Sequence, residues 1–313
     1  MRRLLPLGTL LAILMALTIA MAACGGDDGP AASPTTATPA ADFPVTVTRS
    51  DGRELTIAQA PQRIASLSPA ATEVLYAVGA GPQIVATDLQ SDYPAEAAST
   101  TKLDAFQPNL EAIAAVEADL IVIANNQDDI VQALDSLGKA VLFLEVPDTI
   151  DGVMGQVGLL ASAVGHAEEG ERVAAEMEGR IEAVTSKLTD VEQGPRVYHE
   201  LDNTFFTVAP NSFVGDFYNL LKAKNIAEGA ATAYPQLTQE EILDRDPEVI
   251  ILADADAGES AQTVKARPGW DAISAVKNDR IYVVDPDLVS RPAPRLVEGL
   301  EQLARFLYPE KFP

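Results

Sequence analysis

Two stretches of this chain read as copies of one helix–strand unit. Asn109-Leu-Glu-Ala-Ile113, running on to Asp119-Leu-Ile-Val-Ile123, lies over Thr238-Gln-Glu-Glu-Ile242 and Glu248-Val-Ile-Ile-Leu252 at one constant offset. Glu111 then meets Glu240, Ile113 meets Ile242, and Asp119 meets Glu248. Arg63-Ile64 likewise has a counterpart in Arg196-Val197. A helix feeding an apolar strand buries its stripe only by packing on neighbours of the same kind. Two such units in order predict two α/β lobes of similar topology, each on a parallel sheet.

The remaining elements fit that plan. Val45-Thr-Val-Thr48 alternates, Asp51-Gly52 turns, and Glu54-Leu-Thr-Ile57 returns, the pattern of a hairpin. Arg63–Leu67 reads as a strand, after which Ser68 can cap a helix with Pro69 in its first position. Val74, Leu75 and Val78 supply that helix's buried face, and Gly79 stops it. Further strands are expected at Ile84–Thr87, Leu120–Ala124 and Val141–Val146, with helices at Asn109–Val116 and Ile130–Leu137. From Thr149 to Val191 nothing reads as a strand. Beyond Gly170, Val173, Met177, Ile181, Val184 and Leu188 recur at helical spacing. A helix of about 20 residues would be ~30 Å long, enough to join two lobes. It would serve equally well packed on one lobe, and periodicity does not choose.

The N-terminus reads as an address. Arg2 and Arg3 precede an apolar run from Leu4 to Ala20, which leads to Met21-Ala-Ala-Cys24. A basic start, a short apolar core and small residues before a cut are the parts of an export signal. The run is shorter than the ~20 apolar residues a spanning helix needs. Cys24 stands where the bacterial lipobox places the cysteine that becomes lipidated, with Met in the first box position where Leu or Val is usual. It is the only cysteine, so no disulfide forms within the chain. Gly25–Ala41, rich in Gly, Pro, Ser, Thr and Ala, has too little apolar surface to offset its ordering entropy and reads as a tether. The expected division is a signal peptide at 1–23, a tether at 24–42, an N-terminal lobe at 43–148, a helical bridge at 149–190 and a C-terminal lobe at 191–313.

A formal net charge of −24 excludes nucleic acid as a partner, since phosphate repulsion would meet no basic stripe. No G-x-S-x-G elbow is present, and Gly79-Ala-Gly81 follows a helix where a phosphate loop would follow a strand. With His166 and His199 as the only histidines, a site built on several imidazoles cannot be assembled, and no metal or other cofactor is expected. His166 follows Gly165 in a turn. His199, Glu200 and Asp202 end a strand, where ligand sites of α/β sheets lie, and could meet a cation or polar ligand. They fit equally a polar strand end with one satisfied core side chain, while Glu200 with Asp202 as paired acids would be an enzyme's arrangement.

Several motifs in order resemble a known family. These are Pro61–Glu73, Ser91-Asp-Tyr-Pro94, the two helix–strand units, Arg267-Pro-Gly-Trp270, Ala275–Val283 and Arg291-Pro-Ala-Pro-Arg295. Together they are similar to the cobalamin and iron-siderophore binding proteins of ABC importers, the helical-backbone or class III group of periplasmic binding proteins. The resemblance implies two α/β lobes bridged by a long helix, a ligand cleft between them, and modest closing motion. It implies a protein that hands a small metal chelate to a permease dimer with its ATPase, and the lipid anchor expected at Cys24, outside the cytoplasm, fits it; a monomer is expected. Glu111 and Glu240 match the acids with which this family docks on permease arginines. The ligand residues it points to are Ser68, Thr72, Tyr93 and Phe106 in the first lobe. In the second they are Phe205, Phe206, Tyr234, Asp287 and Arg291, with His199 added from its strand-end position. Few arginines near the cleft favour a neutral or cationic chelate over an anionic catecholate. A ligand sensor that does not transport is the remaining alternative.

Overall fold

Four wholly buried residues, Ile64–Leu67, form the central strand of the first lobe. The computed structural model describes residues 43–126 and 129–313, so the expected signal peptide, the tether and Cys24 lie outside the described residues. Before this strand (β3) stands the antiparallel hairpin of β1 (Val45–Thr48) and β2 (Glu54–Ile57). On either side of β3 lie β4 (Ile84–Asp88), β5 (Thr101–Leu103), β6 (Leu120–Ile123) and β7 (Val141–Phe143). The sheet order is β5-β4-β3-β6-β7, and every pairing is parallel. The second lobe has β8 (Arg196–Glu200), β9 (Lys224–Asn225), β10 (Val249–Leu252) and β11 (Ile281–Val283), in the parallel order β11-β10-β8-β9.

Read from their first strands, the sheets have one plan. In each lobe the first strand pairs on one side with the second strand and on the other with the strand of the repeated unit. Within the described parallel sheets, the short edge strand β5 has no equivalent in the second lobe. The helices of the repeated units are α2 (Leu110–Ala115), capped by the Asn109 side chain, and α7 (Gln239–Arg245), capped by Thr238. The first lobe also has α1 (Pro69–Ala77) and α3 (Ile130–Ser136). Ser68 caps α1 by accepting from the Ala71 amide at 3.3 Å, and Pro69 fills its first turn.

Residues 149–190 hold two helices, α4 (Ile150–Val164) and α5 (Ala167–Thr185), separated at Gly165, whose positive φ suits a helix end. The helix expected beyond Gly170 is α5, which starts three residues earlier, at Ala167. Its first end sits by Gly79 of the first lobe, where His166 lies 3.6 Å from the position a Gly79 Cβ would take. At its far end Lys222 of the second lobe donates to the Leu188 carbonyl at 2.7 Å, and Arg180 pairs with Glu301 at 2.9 Å. With 19 residues, α5 is ~28 Å long and spans from one lobe to the other. Val173, Met177 and Val184 face one continuous core that takes in Val74 and Leu75 of the first lobe and Val197 and Val249 of the second. Separate apolar clusters fill the outer face of each sheet.

The second lobe is completed by α6 (Phe213–Leu220), α8 (Ala261–Lys265), α9 (Ser274–Lys277), α10 (Pro286–Ser290) and α11 (Leu296–Leu307). Asp216 of α6 accepts from the Ile150 amide at 2.9 Å, tying the start of α4 to this lobe.

Candidate functional site: the edge where the strands of both lobes end

All strands of a parallel sheet point one way, so their carboxyl ends gather at one edge, the usual ligand position. Beyond those ends the chain exposes large apolar side chains. In the first lobe these are Leu89 and Tyr93 after β4, Phe106 after β5 and Val146 after β7. The second lobe contributes Phe206 after β8, with Tyr234 in the loop before α7. Phe106 is the barest, at 63% exposure. Between the lobes, Ser68, Ala71, Val146 and Pro292 line a cavity of about 30 Å³.

A cross-lobe cluster of charges stands at one end of this edge. Arg295, before α11, gives two parallel hydrogen bonds to Glu73 of α1, at 2.8 and 2.6 Å. Arg291 reaches the same carboxylate at 3.2 Å, Asp92 at 2.8 Å and its own neighbour Asp287 at 2.7 Å. Tyr93 stacks beneath the Arg295 guanidinium, 3.8 Å from the ring centre. The hydrogen bond from Arg291 holds the Asp92 carboxyl below its ordinary range. Burial pushes Asp287 the other way, Arg291 opposing it and the charges of Asp92 and Asp285 adding to it.

Of the expected ligand residues, this brings together Tyr93, Asp287 and Arg291. Phe106 and Phe206 stand exposed after β5 and β8, and Tyr234 in the loop before α7. The Tyr234 phenol is pushed up by burial and by the charge of Asp148. Three residues are withdrawn from the cleft. Thr72 is fully buried, bonding at 2.9 Å each to Ser66, the Ser68 carbonyl and Ser91, so it braces the strand end from below. Phe205 packs at 5.8 Å on Trp270 in the outer cluster of the second lobe, its φ of 72° turning it back from Phe206. His199 is 1% exposed, its Nδ1 lies 2.6 Å from the Tyr218 hydroxyl, and burial pushes its pKa down to about 3. This burial favours the core reading of His199, although its Nε2 has no hydrogen-bond partner among the described residues.

Glu200 and Asp202 do not form a pair of acids. Fully buried Glu200 is held by both nitrogens of Arg267, at 2.6 and 2.5 Å, while Asp202 accepts from the Thr204 amide at 2.8 Å. Arg267 also pairs with Glu259 at 2.8 Å and lies 4.5 Å from the Trp270 ring centre. Nearby, Asp254 follows β10 with no side-chain donor on either carboxylate oxygen. Burial, with Glu200 adding to it, pushes Asp254 up to about 6.

Sequence reasoning names neither Glu73 nor Arg295 as a site residue. Glu73 lies inside the quoted Pro61–Glu73 motif, one residue after Thr72. An acid in a surface helix reads as solvated, and only the opposing guanidiniums of the other lobe explain its burial.

The family of periplasmic binding proteins matches residues 64–288. The ABC transporter substrate-binding lipoprotein YvrC of Bacillus subtilis is 30% identical over 278 residues, covering 86% of this chain and 87% of its own. This chain belongs to the periplasmic binding protein family. A cobalamin-binding protein of Halobacterium salinarum is 28% identical over 308 residues, 93% of this chain and 82% of that one. The crystal structure of the periplasmic vitamin B12 binding protein of Vibrio cholerae superposes with a TM-score of 0.70 at 26% identity, over 81% of this chain and all but 1% of that one. This periplasmic binding protein is therefore a solute-binding component of ABC import, with two α/β lobes. Its Glu111 and Glu240 occupy the same second position of α2 and α7, both exposed and, among the described residues, neither in an ion pair.

Proposed function

We propose that this protein binds a metal chelate, cobalamin-like or a ferric siderophore, and delivers it to an ABC permease dimer with its ATPase while held outside the cytoplasm by a lipid on Cys24. The observation that carries the ligand reading is the set of exposed apolar side chains in the loops that follow the strands of both lobes, Leu89, Tyr93, Phe106 and Val146 in the first and Phe206 and Tyr234 in the second. Such surface is costly in water unless a large ligand covers it, and aromatic faces suit the flat body of a chelate. The nearby arginines are matched by carboxylates: Arg291 by three, Arg295 by Glu73. A site so neutralised favours a neutral or cationic chelate over an anionic one. The names of the relatives from Halobacterium and Vibrio point the same way. The acids of the sequence HELD are engaged separately, so binding without catalysis is the reading that their geometry supports.

The test is to purify the protein from its own host and record absorbance and mass spectra of what it retains. A cobalt or iron chromophore released on denaturation is expected. A retained sugar, amino acid or organic amine, with no uptake of added cyanocobalamin or ferric hydroxamate, would overturn the chelate reading.

A further inference from the structure

Two separate connections cross from lobe to lobe beside the shared core. One is the spine made by α4 and α5. The other is the cluster in which Glu73 meets Arg291 and Arg295, and Tyr93 stacks on Arg295. Between them runs a groove of about 370 Å³, with Arg172, Met177 and Arg180 of α5 on one wall and Glu73, Tyr93 and Arg295 on the other. The charge cluster is therefore a clasp set off from the spine, and opening of the lobes about the spine must separate its members.

The clasp is built around one carboxylate. The Glu73 side chain is 2% exposed, and both its oxygens are taken by guanidiniums of the opposite lobe. A buried charge requires matched partners, and a partner left alone in a dry site is strongly unfavourable. Bidentate pairing also fixes the guanidinium plane, which a single contact would not. Asp92 and Asp287 are more exposed and each meets Arg291 alone, so they follow where Arg291 is put.

We propose that Glu73 is the positioning residue of the cleft: it holds Arg291 and Arg295 across the lobe boundary, sets the angle between the lobes, and so places Tyr93, Asp287 and Arg291 as one lip. The effect on a bound chelate rests on the function proposed above, whereas the effect on the lobe angle does not.

The test uses the mature chain with Cys24→Ser and spin labels at Leu137→Cys in the first lobe and Glu228→Cys in the second. The parent should give one narrow interlobe distance distribution by pulsed electron resonance. Glu73→Gln, which keeps shape and removes charge, should broaden it or add a second population. Glu259→Gln breaks a part-buried pair inside one lobe, its side chain 13% exposed, and should leave the distribution unchanged while lowering thermal stability. Cyanocobalamin, where the parent binds it, should leave Glu73→Gln about tenfold faster, because loss of a pre-set lip is felt mainly in dissociation. Should circular dichroism show that Glu73→Gln does not fold, Arg295→Met carries the same expectation with Glu73 still partnered by Arg291. A distance distribution in the clasp variants identical to the parent's would overturn the proposal, and an unchanged cyanocobalamin release rate would overturn its ligand half. A parent that takes up no cyanocobalamin counts against the ligand class alone, and the distances still decide the clasp.

Discussion

Asp254 is 6% exposed and lies close to Glu200, whose own charge is spent on Arg267. Its carboxyl, raised from 3.8 to about 6, is ionised at neutral pH in a place that disfavours the charge. The sign follows from the direction of that shift. A folded pKa above the unfolded one means that stability is fully present at low pH and is lost as pH rises through about 6. Lowering the pH from 7.5 to 5 should therefore raise stability by about 1–2 kcal/mol through this group, since pH 5 lies only about one unit below the folded pKa and the rest of the gain comes at lower pH. Less self-repulsion in so acidic a chain acts in the same direction. The comparison with Asp254→Asn isolates the residue: the variant should be the more stable at pH 7.5 by urea titration, and its gain on acidification should be smaller. Equal pH slopes for the two chains would mean that Asp254 is hydrated and ordinary. Residues of this kind set the limit of sequence reading. His199 and Glu200 have the chemistry of a site, but whether a polar strand end faces water, a ligand or an arginine depends on what another segment brings to it.

At the scale of elements the sequence was far more legible, because each repeated unit contains its own closure. Arg63 donates to the Glu117 carbonyl at 3.1 Å, and Arg196 donates to the Asp246 carbonyl at 2.8 Å. Glu117 and Asp246 both end their helices with positive φ, and Asp119 and Glu248 both accept the amide of the arginine that opens the neighbouring strand. The repeat in residue identity is thus a repeat in hydrogen bonding, and it fixes how helix, turn and strand join. The short strands β5 and β9 could not be read, since two or three residues carry no periodicity, and the split of 149–190 into two helices rested on the single turn at Gly165. Where those helices cross, Gly170 of α5 lies so near Ala161 of α4 that an added Cβ would collide with the Ala161 methyl. Gly170→Val should force α4 and α5 apart and lower stability by about 1–3 kcal/mol, the usual result of overfilling a packed contact. A urea midpoint equal to the parent's would show that the spine relaxes freely.

At the scale of the molecule, the two halves of the repeat place one exposed acid each at matched helix starts, and we propose that these two acids dock the permease. Glu111 and Glu240 each follow a capped helix start, where the helix dipole itself favours an acid, and that alone would account for either one. It does not account for their recurrence at matched positions of two lobes held in one frame by α5 and the Glu73 clasp. A symmetric permease dimer with basic residues would meet both at once, and the second contact would form at the raised local concentration that the rigid frame imposes. Charge pairs at such a rim set register and association rate more than affinity. Glu111→Arg or Glu240→Arg alone should therefore slow uptake, and the double variant should abolish it, while binding of the chelate stays at the parent's level because neither acid is among the charge partners of Arg291 or Arg295 in the described residues. Uptake measured in cells, with ligand binding measured on the purified chain, reads the two effects apart. Normal uptake by the double variant would remove these acids from the permease interface, and a chain that kept its ligand and cellular response with no transport to lose would be the sensor of the alternative reading.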